Sequence, residues 1–425
     1  MLTGIQVERL RWFWLDGFFG TVSGSFYTSF VPLFALAYGA TNAQVGQLSG
    51  IASLAGLAAL LPGAQAIKLV GGRRKGLVVL FGGIIVRVML LAWLLLPFFV
   101  RNPSAAIAVI IAINAVIALC NSFANPAWTA IVADIVPRDI RGRFFSHRSF
   151  AINLPALLVV PLAGLVIQAG SRPDRPFAGY QLVFALAIVS GAVGTYCFFK
   201  IDDPVLPSQA SQRLPFGQLG RAILRAPSFI SLLASTLVWN FGVQVTAPFL
   251  NVYLVKNLGA STAMVGWVAA ASSLAALLAQ AWLGRWVDRR GNIWVQAVLS
   301  LIIPCLPLAW MAATAAWQIV IINAIGGILW AGHALASFNL LLDLAPAEAR
   351  AEAYAIFQLV IAASATIAPI LGGQIADAVG FGPAFITSSA LRFVGAAIFL
   401  GWVARPALRR ARQLARAEAA ANLVG

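Results

Sequence analysis

Gly39-Ala-Thr-Asn-Ala-Gln-Val-Gly46 returns 220 residues later as Gly259-Ala-Ser-Thr-Ala-Met-Val-Gly266. Further echoes follow in the same order. Ala64-Gln65-Ala66, with Arg74-Lys75-Gly76 behind it, returns as Ala279-Gln280-Ala281 with Arg289-Arg290-Gly291, at an offset of 215. Ile113-Asn114-Ala115 returns as Ile322-Asn323-Ala324, and Asp134-x-x-Pro137-x-x-x-Arg141 as Asp343-x-x-Pro346-x-x-x-Arg350, both at 209. Short apolar strings match by chance, but a kept order with a slowly drifting offset is the mark of one unit written twice.

The segments between these echoes are apolar. Of 425 residues, 61% are hydrophobic and 10% charged, with mean hydropathy +0.89, which excludes a water-soluble chain. A hydrocarbon core of about 30 Å needs roughly 20 apolar residues of helix. Twelve runs of that order are predicted, at 12–37, 45–67, 76–100, 105–131, 150–168, 180–199, 229–254, 263–283, 293–311, 317–341, 353–376 and 382–403. The expected fold is an all-α membrane protein of twelve transmembrane helices in two pseudo-symmetric six-helix bundles. The units are 1–200, a linker 201–227 rich in proline, 228–404, and a basic tail 405–425. Arg9 and Arg11 precede an apolar stretch too long for a signal peptide, which predicts a retained first span.

Twenty-three of the 29 Lys and Arg fall at the termini or on connectors following even-numbered spans. Arg101, Arg172, Arg175 and Lys256 lie opposite, and Arg87 and Arg392 fall within spans. The positive-inside rule then places both termini in the cytoplasm, in a multi-pass protein of the plasma (cytoplasmic, inner) membrane. The net charge of +16 is a topology signal with some attraction to anionic lipid, not a nucleic-acid footprint. Cys120, Cys197 and Cys305 have no metal-like spacing and read as small core residues. No metal or cofactor is implied.

Gly284-Arg-Trp-Val-Asp288-Arg289-Arg290-Gly291-Asn292 resembles the Gly-x-x-x-Asp-Arg-x-Gly-Arg loop of the major facilitator superfamily, and the resemblance extends over essentially the whole chain. It implies that family's two-bundle fold and a cytoplasmic gate. Glycines such as Gly284 let helix ends approach, and Asp288 accepts bonds from Arg groups or a helix N-terminus, forming a latch that breaks when that side opens. A basic turn that merely obeys the positive-inside rule is the alternative. The first-half copy, Gly71-Gly72-Arg73-Arg74-Lys75, has no carboxylate. Asp134 and Asp343 are placed either as charge partners of Arg141 and Arg350 or as helix caps. The family's frequent Arg in the fourth span is replaced here by asparagines.

Polar groups inside a bilayer cost free energy unless they meet water or one another. At 100° per residue, Asn114, Asn121 and Asn125 of the fourth span share an arc of about 40°, as do Asn240, Gln244 and Asn251 of the seventh. The first span aligns Asp16, Gly20, Ser23 and Tyr27, and the tenth aligns Asn323, Trp330, His333 and Ser337. The resemblance places spans 1, 4, 7 and 10 around a central cavity, so these stripes are the predicted substrate contacts. Interhelical glue explains any single one of them equally well. His333 and Asp16 are the proton-coupling candidates. Arg87 and Arg392 each require a carboxylate, carbonyls or water, and an Asp16 to Arg87 bridge would have to close about 10 Å of depth. Pro161 and Pro369 occupy equivalent places in spans five and eleven, marking bends or close packing.

The expected activity is secondary transport of a small neutral or amphipathic solute by alternating access, coupled to protons or another ion, with efflux favoured over uptake of a sugar-like nutrient. A monomer is expected. No phosphate-binding loop and no converging catalytic set is present, so an ATP-driven pump and an enzyme are not expected. A channel and a non-transporting sensor are the other classes, separable by saturation and by counterflow.

Overall fold

The computed structural model describes residues 4–69, 74–136, 141–201, 226–346 and 350–406. In chain order the helices are α1 (Gly4–Tyr27, resumed past a turn as Val31–Ala37), α2 (Asn42–Leu69), α3 (Arg74–Phe99), α4 (Pro103–Ile135), α5 (Arg141–Gly170) and α6 (Ala178–Phe199). The second half continues with α7 (Pro227–Lys256), α8 (Thr262–Arg290), α9 (Asn292–Ala312), α10 (Ala316–Leu344), α11 (Arg350–Val379) and α12 (Phe381–Ala404). The expected linker and basic tail lie almost wholly outside the described residues.

Ten stretches among the described residues are long and apolar enough to cross a bilayer. The two missing from the expected set are α1 and α5, of which α5 offers only the shorter apolar stretch Leu157–Gly170. In α1 the dilution is visible in the sequence, because Asp16, Gly17, Gly20, Thr21, Ser23 and Gly24 interrupt the aromatic residues. Elsewhere the apolar excess points outward, as at Leu61, Leu278 and Phe99. Such a surface suits hydrocarbon rather than water.

The repeated octapeptide is explained by its two glycines. Gly39 (φ +85°) and Gly259 (φ +60°) turn the chain between helices in the left-handed region, where a side chain is strained. Gly46 and Gly266 lie against the other half: a Cβ on Gly46 would strike the Pro369 carbonyl of α11, and one on Gly266 would strike Pro161 of α5. The prolines expected to mark bends are thus docking points for a glycine from the opposite half. Other pairings repeat as well. Ser23 Oγ on α1 donates to Ala187 O on α6 (2.7 Å), and Ser235 Oγ on α7 donates to Gly395 O on α12 (2.9 Å). Gly63 of α2 packs on Phe123 of α4, and Gly327 of α10 on Ser272 of α8.

The halves meet chiefly through α2 with α11 and α5 with α8. Their polar ties cluster at the end carrying the octapeptide loops. The Asp377 carboxylate of α11 accepts from the backbone of Asn42 (2.9 Å) and Ala43 (2.7 Å), the opening residues of α2. Thr262 Oγ1 donates to Gly164 O (3.0 Å), and Asn251 Nδ2 donates to Ser29 O (3.3 Å). The largest hydrophobic cluster joins both halves at this same end, with Phe34, Tyr38 and Trp93 of the first half and Phe249, Tyr253 and Phe385 of the second. The remaining clusters each draw on one half only. Among the described residues the polar ties between the halves and the hydrophobic cluster they share therefore lie at one end of the molecule.

Candidate functional site

The first-half stripes converge on a cavity of about 370 Å³. Asp16, Gly20, Ser23 and Tyr27 of α1 and Asn121, Asn125 and Trp128 of α4 form two of its walls. The others come from α3 and α6, which the angular argument did not include. In α3 the wall is a wider, π-helical stretch, Val78–Ile85, whose Gly82 and Gly83 bring backbone close to the cavity. Single π turns recur at functional sites because they re-aim side chains without ending the helix.

Arg87 follows that stretch. Its Nη1 donates to Gly82 O (3.1 Å) and its Nη2 to Gly191 O of α6 (3.0 Å). Gly191 is what admits it, since a Cβ there would collide with the guanidinium. The proposed Asp16 to Arg87 bridge is not formed: among the described residues there is no ion pair between them, and two carbonyls take the Arg87 Nη atoms while its Nε has no partner. The charges around the Asp16 carboxylate are Arg148 first and Arg87 second, with Trp128 also beside it. Arg148 was not among the expected site residues. It looks like one more basic residue of a cytoplasmic connector, yet it is buried, lies over the rings of Phe13 (4.3 Å) and Trp128 (5.6 Å), and fills the space left by Gly17. Gly17 lying next to an intramembrane aspartate was the only sequence signal for it.

In the second half two cavities share Trp330. One, about 220 Å³, is lined by Asn240, Trp330 and His333 together with Gln296, Ser300 and Ser337. His333 stacks on Trp239 (centroids 5.2 Å apart) and meets the edge of Trp330 (5.5 Å). Ser337 Oγ donates to Gln296 Oε1 (3.1 Å), which leaves Gln296 Nε2 to donate to His333 Nδ1 at 3.2 Å. The histidine is therefore a hydrogen-bonded wall residue with no described carboxylate beside it. The other cavity, about 350 Å³, contains Asn323, Trp330 and Arg392.

The amide stripes are thus divided. Asn121 and Asn125 face the Asp16 cavity, whereas Asn114 sits in the seam with α2 and donates to Leu48 O (3.0 Å), so its place is helix packing. Gln244 is half-buried and lines none of these cavities, and Asn251 ties α7 to α1. Asn240 and Asn323 each donate to a carbonyl one turn earlier, at Thr236 and Ile319, keeping their oxygens for the cavities. Spans 1, 4, 7 and 10 all contribute walls, and each of these cavities is lined by helices of one half, with α3 and α6, or α8, α9, α11 and α12, completing it.

The Major Facilitator Superfamily matches residues 13–253 and, in a second stretch, 232–425. The chain belongs to this family. Multidrug resistance protein MdtG of Dickeya zeae (strain Ech586) is 22% identical over 284 residues, covering 65% of this chain and 67% of that one. The multi-drug resistance efflux pump PmrA homolog of Lactococcus lactis is 24% identical over 273 residues, 62% of this chain and 64% of its own. MdtG of Salmonella typhi is 26% identical over 226 residues. The match spans about half to two thirds of these relatives' lengths. Among solved structures, a bacterial homologue of the iron transporter ferroportin in an inward-facing state superposes with a TM-score of 0.70 at 15% identity, covering 94% of this chain and 99% of that one. The nucleoside transporter NupG gives 0.69 at 13%, covering 94% and 99%. A D-xylose–proton symporter gives 0.65 at 15%, covering 94% and 97%. These likenesses show the fold. The chain is a superfamily transporter and not an enzyme, embedded in a membrane by multiple helices.

Against that family frame the gate residues divide too. Asp288 and Arg289 are exposed at the end of α8, and Asp288 enters none of the described contacts. Arg290 lies over the Trp294 ring at 5.0 Å. Gly284 has open space where a Cβ would stand, so it permits no close approach in this arrangement. Asp134 pairs with Arg74 at 2.6 Å, and Asp343 accepts from Asn292 Nδ2 at 2.8 Å. Each aspartate thus ties the end of α4 or α10 to the start of α3 or α9 within its own half. The side chains of Arg141 and Arg350 lie outside the described residues.

Proposed function

We propose that the chain is a secondary carrier with twelve membrane crossings and cytoplasmic termini, in which bundles 1–200 and 228–404 rock about a midplane site and protons drive export of an amphipathic solute across the plasma membrane. The observation that carries this reading is Asp16. It is an intramembrane carboxylate on a 370 Å³ cavity, with Arg148 and Arg87 as its charged neighbours and Asn121, Asn125, Tyr27 and Trp128 on the walls. A carboxylate at that depth is costly unless it is protonated or stabilised by cations. The two guanidinium groups supply that stabilisation on the deprotonated limb of the cycle, and protonation frees them to reorganise. Of the two titratable candidates, Asp16 is the one we assign, because His333 has its Nδ1 occupied by Gln296.

With the basic connectors on the cytoplasmic side, the end where the halves are tied faces outward, which supports an arrangement closed to the outside and inward-facing. Asp288, which meets no partner among the described residues, is what a cytoplasmic latch looks like when that side is open. Export is supported by relatives named as multidrug resistance proteins. The test is transport in proteoliposomes. Asp16→Asn is expected to abolish accumulation driven by a pH gradient while leaving solute counterflow intact, and gradient-driven accumulation by Asp16→Asn carriers would overturn the coupling assignment. The side on which solute accumulates under an imposed gradient separates exporter from importer.

A further inference from the structure

Arg87 and Arg392 both lie within helices at bilayer depth, yet their surroundings differ. Arg87 lacks a partner at Nε, but it is anchored on two carbonyls through its Nη atoms. Arg392, only 5% exposed, makes a single long bond from Nη2 to Thr246 Oγ1 (3.4 Å), and its Nε has no partner. Among the described residues no Asp or Glu pairs with it. A guanidinium offers five N–H donors in a planar fork, and a buried cation with most of them unanswered is costly. Thr246 cannot make up the difference: Ser388 Oγ donates to Gly242 O, so the Thr246 hydroxyl donates to Ser388 Oγ (3.0 Å) and offers Arg392 one neutral acceptor for a fork of five donors.

The space beside Arg392 is the 350 Å³ cavity between α7, α8, α9, α10 and α12. Its walls are mostly apolar or aromatic, with Trp310, Trp330, Leu306 and Leu250, and its polar side chains are Thr246, Ser272, Asn323 and Arg392. The Arg392 guanidinium lies over the Trp330 ring at 6.0 Å, so ring and cation present one continuous surface to an occupant. An apolar slot closed by an unanswered fork has the polarity of an aromatic or branched-chain carboxylate, whose two oxygens match the fork in a bidentate pair.

We propose that this cavity is a subsite for a planar oxyanion, and that the carrier's solute is an amphipathic acid whose carboxylate meets Arg392 while its apolar body lies against Trp310 and Trp330. This rests on the carrier reading and narrows its solute class. It also accounts for a lining that is otherwise amide and aromatic: the charge complementary to the solute sits in the second half, away from the Asp16 carboxylate, which would repel it.

The test is calorimetric titration of the purified full-length protein with 2-naphthoate and its neutral isostere 2-naphthylmethanol. The alcohol partitions better into detergent, so a preference for the acid cannot come from micelles. The expected result is at least tenfold tighter binding of naphthoate, falling to within twofold of the alcohol in Arg392→Gln and to an intermediate value in Arg392→Lys, which keeps the charge but not the fork. Equal affinity of the two probes for the unsubstituted protein, binding of neither, or a preference that survives Arg392→Gln would overturn the proposal. The first two readouts need no variant, so a poorly folding Arg392→Gln does not shield it. An Arg392-dependent preference without counterflow would sink the carrier reading and leave the anion site. Counterflow of a neutral solute with no preference for the acid would do the reverse.

Discussion

Removing the Asp377 carboxylate should open the joined end of the molecule. The first N–H groups of a helix have no partner within it, and in α2 those of Asn42 and Ala43 are answered by Asp377 from α11 in the other half, at 2.9 and 2.7 Å. These are charge-assisted bonds made at the positive end of a helix dipole. Bonds to a charged acceptor contribute about 1.5–3 kcal/mol each in buried settings. Because Asp377 is exposed, we discount the pair to about 2 kcal/mol in total, with the dipole term included. Both bonds cross the interface and exist only while that end is closed, so Asp377→Ala should shift the ratio of outward-open to outward-closed molecules by roughly 30-fold. Asp377→Asn keeps one acceptor and should shift it by only about fivefold. Spin labels at Thr41 and Val379, both exposed and on either side of the seam, would report the change in a Cys305→Ser background, since Cys305 is the exposed native cysteine while Cys120 and Cys197 are buried. A second, longer distance should grow in Asp377→Ala. An unchanged distance distribution would refute the reasoning.

Gly46→Ala and Gly266→Ala each place a methyl against backbone of the opposite half, so each should cost about 1–3 kcal/mol of thermal stability, read as a lowered Tm, and the two should act on separate seams and add. Asn114→Ala should lose about 1 kcal/mol through its bond to Leu48 O and leave the pH dependence of transport unchanged, whereas Asn121→Ala or Asn125→Ala, on the Asp16 cavity, should shift that pH dependence with little effect on Tm; the reverse pattern in a paired melt and transport assay would exchange their roles. Asp288→Asn should leave the melting of this arrangement unaltered but raise cytoplasmic cysteine accessibility by depleting the outward-facing population, and unaltered accessibility would count against the latch.

Much of the site was hidden from periodicity for reasons specific to each residue. Arg148 was grouped with the basic connector before α5 because sequence distance from the interface says nothing about a side chain folding back over Phe13 and Trp128. Asp377 sits near the end of a span where an acid is unremarked, and its role comes entirely from the neighbouring start of α2. Asn114 and Asn121 share one helical stripe, but a helix has neighbours on both sides of any stripe, and the first residue met α2 while the second met a cavity.

The order of residues alone determined the duplicated unit, the apolar helices and the glycines at Gly39, Gly46, Gly259 and Gly266, because turns, burial in hydrocarbon and close backbone approach each demand a residue type at a local position. Tertiary structure decided how far each intramembrane cation is answered. Arg87 and Arg392 are indistinguishable along the chain and each lines a cavity, but the packing of α6 against α3 adds the Gly191 carbonyl to the Gly82 carbonyl of its own helix for the first, while the packing of α12 leaves the second one long bond to Thr246.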